Sequence, residues 1–157
     1  MRVLGVDPGT SVTGYGVIET GNGWGMGRLV ECGVIRLRGR SPLPRRLHEL
    51  HGHITDLITR HRPNALALEN AFYHRNVHTT LVLGHARGVI LLAAQQAGLA
   101  IAQYPPATVK KTVTGAGGAP KAQVGSVVAR LLRLTAAPKP ADAADGVAVA
   151  LTHILRT

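Results

Sequence analysis

The order in which short apolar runs and helical stretches follow one another limits this chain more than any other feature. Val3-Leu4-Gly5-Val6 reads as a buried strand that stops at Asp7, and Asp7-Pro8-Gly9-Thr10 has proline and glycine at the middle positions of a type II turn. Two more strands are predicted, roughly 14–19 and 29–37, with Gly21-Asn22-Gly23 as the hairpin turn between them. From Ser41 to His61, the residues Leu43, Leu47, Leu50, Ile54, Leu57 and Ile58 recur at helical spacing, with Ser41 as N-cap and Pro42 as first helical residue. Arg62-Pro63-Asn64 ends that helix, and Ala65-Leu66-Ala67-Leu68 reads as a short central strand stopping at Glu69. A three-stranded meander followed by helix and strand calls for a parallel neighbour, so the expected class is α/β: a five-stranded mixed sheet flanked by helices.

The rest of the chain completes that pattern. A long helix is predicted from about Thr79 to Ala97, with Gly84 and Gly88 four apart, a spacing that permits close helix contact within the chain or across a dimer. Gly98 ends it, and a fifth strand, Leu99 to Gln103, precedes Pro105-Pro106. Further helices are expected over 107–113, 122–134 and 141–155, with Thr114-Gly115-Ala116-Gly117-Gly118 as a flexible link between the first two. The 157 residues show no repeat and no linker, which predicts one domain over 1–157. Cys32 is the only cysteine, which excludes an intrachain disulfide and argues against a thiolate zinc site. The start MRVLGVDPG does not read as a signal peptide, and the apolar run Val89 to Ala94 stops at Gln95-Gln96, too short for a bilayer, so a cytoplasmic protein without membrane contact is expected.

Lysines and arginines number 18 against 8 acids, a net charge of +10 that predicts an anionic partner, nucleic acid first. Acids are therefore the scarce residues, and four of the eight sit beside apolar segments: Asp7 and Glu69 at strand ends, Asp142 and Asp145 one turn apart in the last helix. Parallel neighbours place their carboxyl ends side by side, so Asp7 and Glu69 can converge. Each acid alone has a plainer explanation, since an aspartate commonly opens a Pro-Gly turn and acids in a first helical turn favour the macrodipole. Convergence of all four is different, because buried like charges need protons or a cation. Hard oxygen donors without cysteine favour magnesium or manganese, and two such ions about 4 Å apart can activate water and stabilise a leaving oxygen.

The basic residues divide in the same way. Arg45, Arg46, Arg60 and Arg62 read as the wet side of a helix, whereas Lys110, Lys111 and Lys121 flank the glycine-rich link and suit a phosphate backbone as well as plain solvent. Phe72 and Tyr73 follow Glu69 in a polar stretch with His74, Arg75 and His78, where a ring either packs inward or stacks on an unpaired base.

Taken in order, Leu4-Gly5-Val6-Asp7-Pro8-Gly9-Thr10, Gly14-Tyr15-Gly16, Glu69-Asn70-Ala71-Phe72, Gly84-His85-Ala86-Arg87-Gly88, Val109-Lys110, Lys121-Ala122-Gln123-Val124 and Asp142-Ala143-Ala144-Asp145 resemble the bacterial RuvC-type Holliday junction resolvases over nearly the whole chain. The resemblance implies an RNase H-like (retroviral integrase-like) fold, a homodimer, and magnesium-dependent paired nicking of four-way DNA junctions in recombination and repair. It implies two Mg2+ ions per site, with Mn2+ able to substitute, held by Asp7, Glu69, Asp142 and Asp145. Lys121 would assist at the phosphate beside the cut; Phe72, Tyr73, Arg75, Lys110 and Lys111 would contact DNA, and a branch-migration helicase complex would be a partner. A non-catalytic branched-DNA binder is the main rival; it explains the charge but gives no reason for acids at strand ends. An actin-like or sugar-kinase-type ATPase needs a second domain for which 157 residues leave no room. A ribonuclease H proper would carry the matching glutamate in a helix, whereas here Glu69 ends a predicted strand.

Overall fold

The first apolar run becomes β1 (Arg2–Asp7), which pairs antiparallel with β2 (Val12–Glu19) and parallel with β4 (Ala65–Glu69). β2 in turn pairs antiparallel with β3 (Arg28–Arg36), and β4 pairs parallel with β5 (Ala100–Tyr104), giving the sheet order β3-β2-β1-β4-β5. The computed structural model describes residues 1–21, 23, 25–70 and 76–157. Among these the helices are α1 (Leu43–His61), α2 (Val77–Gln96), α3 (Pro106–Thr114), α4 (Lys121–Leu131) and α5 (Ala141–Arg156). The five-stranded mixed sheet flanked by helices is thus as expected.

Strand alternation sorts the chain into two cores. Leu4, Val6, Leu66 and Leu68 face α1 and α2, packing with Leu50, Ile54, Ile90 and Ala94. Val3 and Ala67 face the other way, against Val109 of α3, Val128 of α4 and Val147, Ala148 and Leu151 of α5. Each fully buried leucine or isoleucine contributes about 1.5–3 kcal/mol relative to exposure, so the long runs of β1 and β4, covered on both faces, anchor the sheet. The odd-numbered residues of β1 and β4 lie on the α5 side, and that parity continues to Asp7 and Glu69.

Glycine decides how closely α5 approaches. Gly5 and Gly16 are paired across β1 and β2, as are Asp7 and Gly14. A Cβ on Gly5 would lie 2.3 Å from the backbone oxygen of Gly146, and one on Gly14 would lie 1.7 Å from that of Asp142. One on Gly146 would lie 2.5 Å from the Tyr15 backbone. Helix backbone therefore rests directly on strand backbone, with no side-chain layer between them.

Several boundaries differ from the sequence reading. Pro42, not Ser41, is the N-cap of α1; its ψ of 146° keeps it extended, so the helix begins at Leu43. α2 starts at Val77 because the Asn76 side chain caps it, accepting from the Thr79 amide at 3.2 Å. Leu99 lies in the turn that closes α2, its amide donating to the Ala94 oxygen at 3.1 Å, and β5 therefore begins at Ala100. α4 stops at Leu131, before Arg133 takes a left-handed φ of 56°. The connection between β2 and β3 runs over 20–27, longer than a three-residue turn, with positive φ at Gly23, Gly25 and Gly27; Asn22 and Trp24 lie outside the described residues. Gly9 is not at positive φ, so the turn after Asp7 is not type II; glycine is needed there because a Cβ would sit 2.1 Å from the Val12 oxygen. α2 as a whole, unlike its Val89–Ala94 run, is long and apolar enough to cross a membrane by length and composition. Its Val82, Ala86, Ile90 and Ala93 are nevertheless buried in this fold.

Candidate active site

Asp7 is the last residue of β1 and Glu69 the last of β4, and the parallel register Val6↔Leu68, extended by one step, sets them side by side. α5 supplies the other two acids. Its start rests on Gly14, the strand partner of Asp7, so Asp142 and Asp145 arrive at the same sheet end. One carboxylate oxygen from each of Asp7, Asp142 and Asp145 lies within 4.8 Å of the other two. Glu69 is drawn in as well, lining the same cavity as Asp7 with its charge felt by the Asp7 carboxyl. That cavity, of about 240 Å3, is also lined by Asp145, Pro106, Val109, Lys110, Lys121, Val124 and Ala148. Asp145 is the more enclosed of the helical pair, its side chain 15% exposed against 44% for Asp142.

The electrostatics follow from burial and crowding. Asp7 is pushed up to about 8, chiefly by burial and then by the neighbouring Glu69 and Asp145 carboxylates. Glu69 is pushed up to about 6 by burial and then by Asp145. Burial also raises Asp145, with Lys121 opposing it. Lys121 Nζ donates to Asp145 Oδ2 at 2.8 Å and lies 3.7 Å from Asp142 Oδ1, and this pairing raises the lysine. Lysine is a poor choice for the first residue of α4, since the helix dipole disfavours a cation there. Its position is explained by the acids it faces.

The two ammonium groups at the cavity, Lys110 and Lys121, do not balance four carboxylates. Two like charges about 4 Å apart repel by about 4 kcal/mol at an effective dielectric of about 20, so the cluster takes up protons or a cation of higher charge. The donors are all carboxylate oxygens, three of them already spaced for a shared ion, and this set fits a hard divalent cation.

The other expected contact residues separate. Lys110 lines the acidic cavity, whereas Lys111 lines a different depression with Thr108, Thr112, Leu155 and Arg156. Phe72, Tyr73 and Arg75 lie outside the described residues. The sequence reading gave no physical role to Gly5, Gly14, Gly16 and Gly146, although glycines alternating along a strand signal a close backbone approach.

A mixed sheet of this order, with carboxylates gathered where two parallel strands end, defines an RNase H-like nuclease. The family model for "Crossover junction endodeoxyribonuclease RuvC" matches residues 3–153. The chain is 48% identical over 152 residues to the crossover junction endodeoxyribonuclease RuvC of Halorhodospira halophila, covering 97% of this chain and 89% of that protein. It superposes on Thermus thermophilus RuvC with a TM-score of 0.89 and 35% identity, covering 99% of this chain and 94% of that one. A second T. thermophilus RuvC structure, in complex with a Holliday junction substrate, matches with the same TM-score and coverage at 32% identity. The chain belongs to the RuvC family of crossover junction endodeoxyribonucleases.

Proposed function

We propose that residues 1–157 act as one nuclease domain that resolves four-way DNA junctions by paired symmetric nicks, in recombination and repair. The observation that carries this reading is the convergence of Asp7, Asp142 and Asp145 within 4.8 Å, with Glu69 and Lys121 at the same cavity, in a chain of net charge +10. A DNA-binding protein without catalysis has no use for a buried acidic cluster on a surface meant for phosphate, because the cluster repels it.

Asp7, Glu69, Asp142 and Asp145 would hold two divalent cations, magnesium in the first instance and manganese in its place. When bound, such ions act as Lewis acids, neutralising charge that develops on the phosphate and making water more acidic. The chain's own residues do the rest. Asp7 and Glu69, presented by rigid strand ends, keep the donor oxygens in place. Lys121, 59% exposed, is free to exchange its contact with Asp145 for a phosphate oxygen. Lys110 faces the same cavity and would hold the neighbouring phosphate, with Lys111 reaching backbone on the far side of α3. The family resemblance assigns an unstacked base at the crossover to Phe72, and Tyr73 and Arg75 are further candidates for DNA contact.

Incubating a synthetic four-way junction with the protein, with and without Mg2+, tests the reading. Paired nicks at symmetric positions are expected with magnesium only, while a linear duplex of the same sequence is spared. Binding without cutting in magnesium or manganese would overturn it in favour of the non-catalytic binder.

Two nicks call for two sites, and α2 offers the surface. Leu81 and Leu92 are 60% and 52% exposed, and Gly84 and Gly88 between them have, apart from their own turn of helix, no atom of the described residues within 4 Å of where a Cβ would stand, so this stripe is open. A second copy packed along this stripe gives a two-fold homodimer that matches the symmetry of the junction. Leu81→Glu with Leu92→Glu is expected to sediment as a monomer and to give single nicks; retained dimers would refute the interface. We also infer a cytoplasmic protein that works with a branch-migration helicase complex, since such an enzyme acts on junctions that helicases move.

A further inference from the structure

Five arginines, Arg36, Arg38, Arg40, Arg45 and Arg46, fall within eleven residues that contain no acid. They occupy the end of β3, the connection into α1 and the first turn of that helix. Sheet register puts this segment at the catalytic end: Asp7 pairs with Gly14, Gly14 with Val34, and Arg36 follows two positions beyond. With strands about 4.8 Å apart and a rise of about 3.4 Å per residue, the Arg36 backbone stands roughly 12 Å from that of Asp7. The Leu37 amide donates to the Ser11 oxygen at 3.0 Å, tying the segment to the turn that follows Asp7.

Charge accounting shows that these arginines are not used internally. Glu19 is taken by Arg2 and Arg28, Glu31 and Asp56 by Arg60, and Asp142 and Asp145 by Lys121. Asp7 and Glu69 are enclosed in the acidic cavity, and Glu49, one turn beyond Arg45, forms no ion pair among the described residues. Among the described residues none of the five arginines forms an ion pair; four are exposed, and the fifth, Arg46, is half-buried with its Nε lacking a hydrogen-bond partner. A row of unpaired guanidinium groups attracts an external polyanion, and planar forks suit phosphate oxygens.

We propose that the Arg36–Arg46 segment grips the phosphate backbone of a duplex arm flanking the cut. At about 3.4 Å of helix axis per phosphate on one strand, a 12 Å offset places the grip roughly three to six steps from the cleaved phosphate. The proposal rests on the nuclease reading for its ligand but is judged by binding alone. In the absence of divalent cations, binding is measured for two four-way junctions, one unmodified and one with neutral methylphosphonates at steps three to six from the cut on both strands. The proteins are the wild type, Arg38→Gln/Arg40→Gln/Arg45→Gln, and Arg62→Gln/Arg130→Gln/Arg133→Gln, which removes equal charge elsewhere. The wild type is expected to bind the neutralised junction at least about tenfold more weakly than the unmodified one. The first variant should bind the unmodified junction at least about tenfold more weakly than wild type, lose no more on neutralisation, and show a salt slope lower by about 2–3. The second variant should keep the full wild-type sensitivity to neutral linkages. A first variant that binds like wild type, or weakens while remaining as sensitive to the neutral linkages, overturns the grip. Melting curves confirm that each variant is folded. Nicking of the unmodified junction by wild type in Mg2+ is scored separately, and its absence would refute the nuclease reading without deciding the grip.

Discussion

Asp7→Asn is expected to lower nicking of a four-way junction by at least about a thousandfold while leaving junction binding intact. Asparagine preserves the size and position of the side chain at the end of β1 but removes the charge that the other two cluster acids share within 4.8 Å. Undiminished nicking would sink the assignment of the site. The same variant carries a second signature, because Asp7 has its folded value raised from 3.8 to about 8. Below the lower value the carboxyl is protonated in both states. As pH climbs, the unfolded chain releases its proton first while the folded chain holds on, so folding is progressively disfavoured up to about 8 and no further. In EDTA, wild-type melting temperature should therefore fall between pH 5 and pH 8, within the window those two values set. Asp7→Asn should show a shallower fall and melt higher than wild type at pH 8, with Mg2+ narrowing the gap. A wild type whose cation-free stability is flat over this range would mean that the acids are not crowded in solution.

The other large effect comes from a residue with no chemistry. Gly14→Ala introduces a Cβ 1.7 Å from the Asp142 backbone oxygen, a clash with backbone that no rotamer relieves. Overpacking of this kind costs about 1–3 kcal/mol or more, and here the displaced element is α5 itself, which carries Asp142 and Asp145. Nicking should fall at least about a hundredfold even at temperatures where circular dichroism shows a folded protein, since misplacing catalytic groups by about an ångström is enough. Gly52→Ala is the contrasting change. It lies in α1 with open space beside it, and alanine there should stabilise by about 0.5–1 kcal/mol without touching the site. Equal behaviour of the two variants would show that α5 does not depend on glycine contact.

Much of the candidate site was legible because its signals are local. Asp7 and Glu69 end apolar runs, and a strand-helix-strand succession puts such ends at one edge of a sheet. Asp142 and Asp145 stood out only because acids are few, and neither periodicity nor spacing says where the last helix lands. Lys110 and Lys111 were indistinguishable as neighbours in sequence; α3 turns one to the acidic cavity and the other to a separate depression. The arginines at the start of α1 read as an ordinary wet helix face until sheet register set the adjoining Arg36 at the same sheet end as Asp7 and the ion pairs showed Glu19, Glu31, Asp56, Asp142 and Asp145 committed to other cations.

By itself the amino-acid order determined the elements, their succession and the side of the sheet on which Asp7 and Glu69 emerge, since hydrophobic period, turn residues and strand alternation act over a few positions. Tertiary structure alone decided that α5 lies on bare strand backbone at Gly5, Gly14 and Gly16, and so brings two distant aspartates to the strand ends. Close packing depends on what meets a residue across the fold, and no neighbour along the chain carries that information.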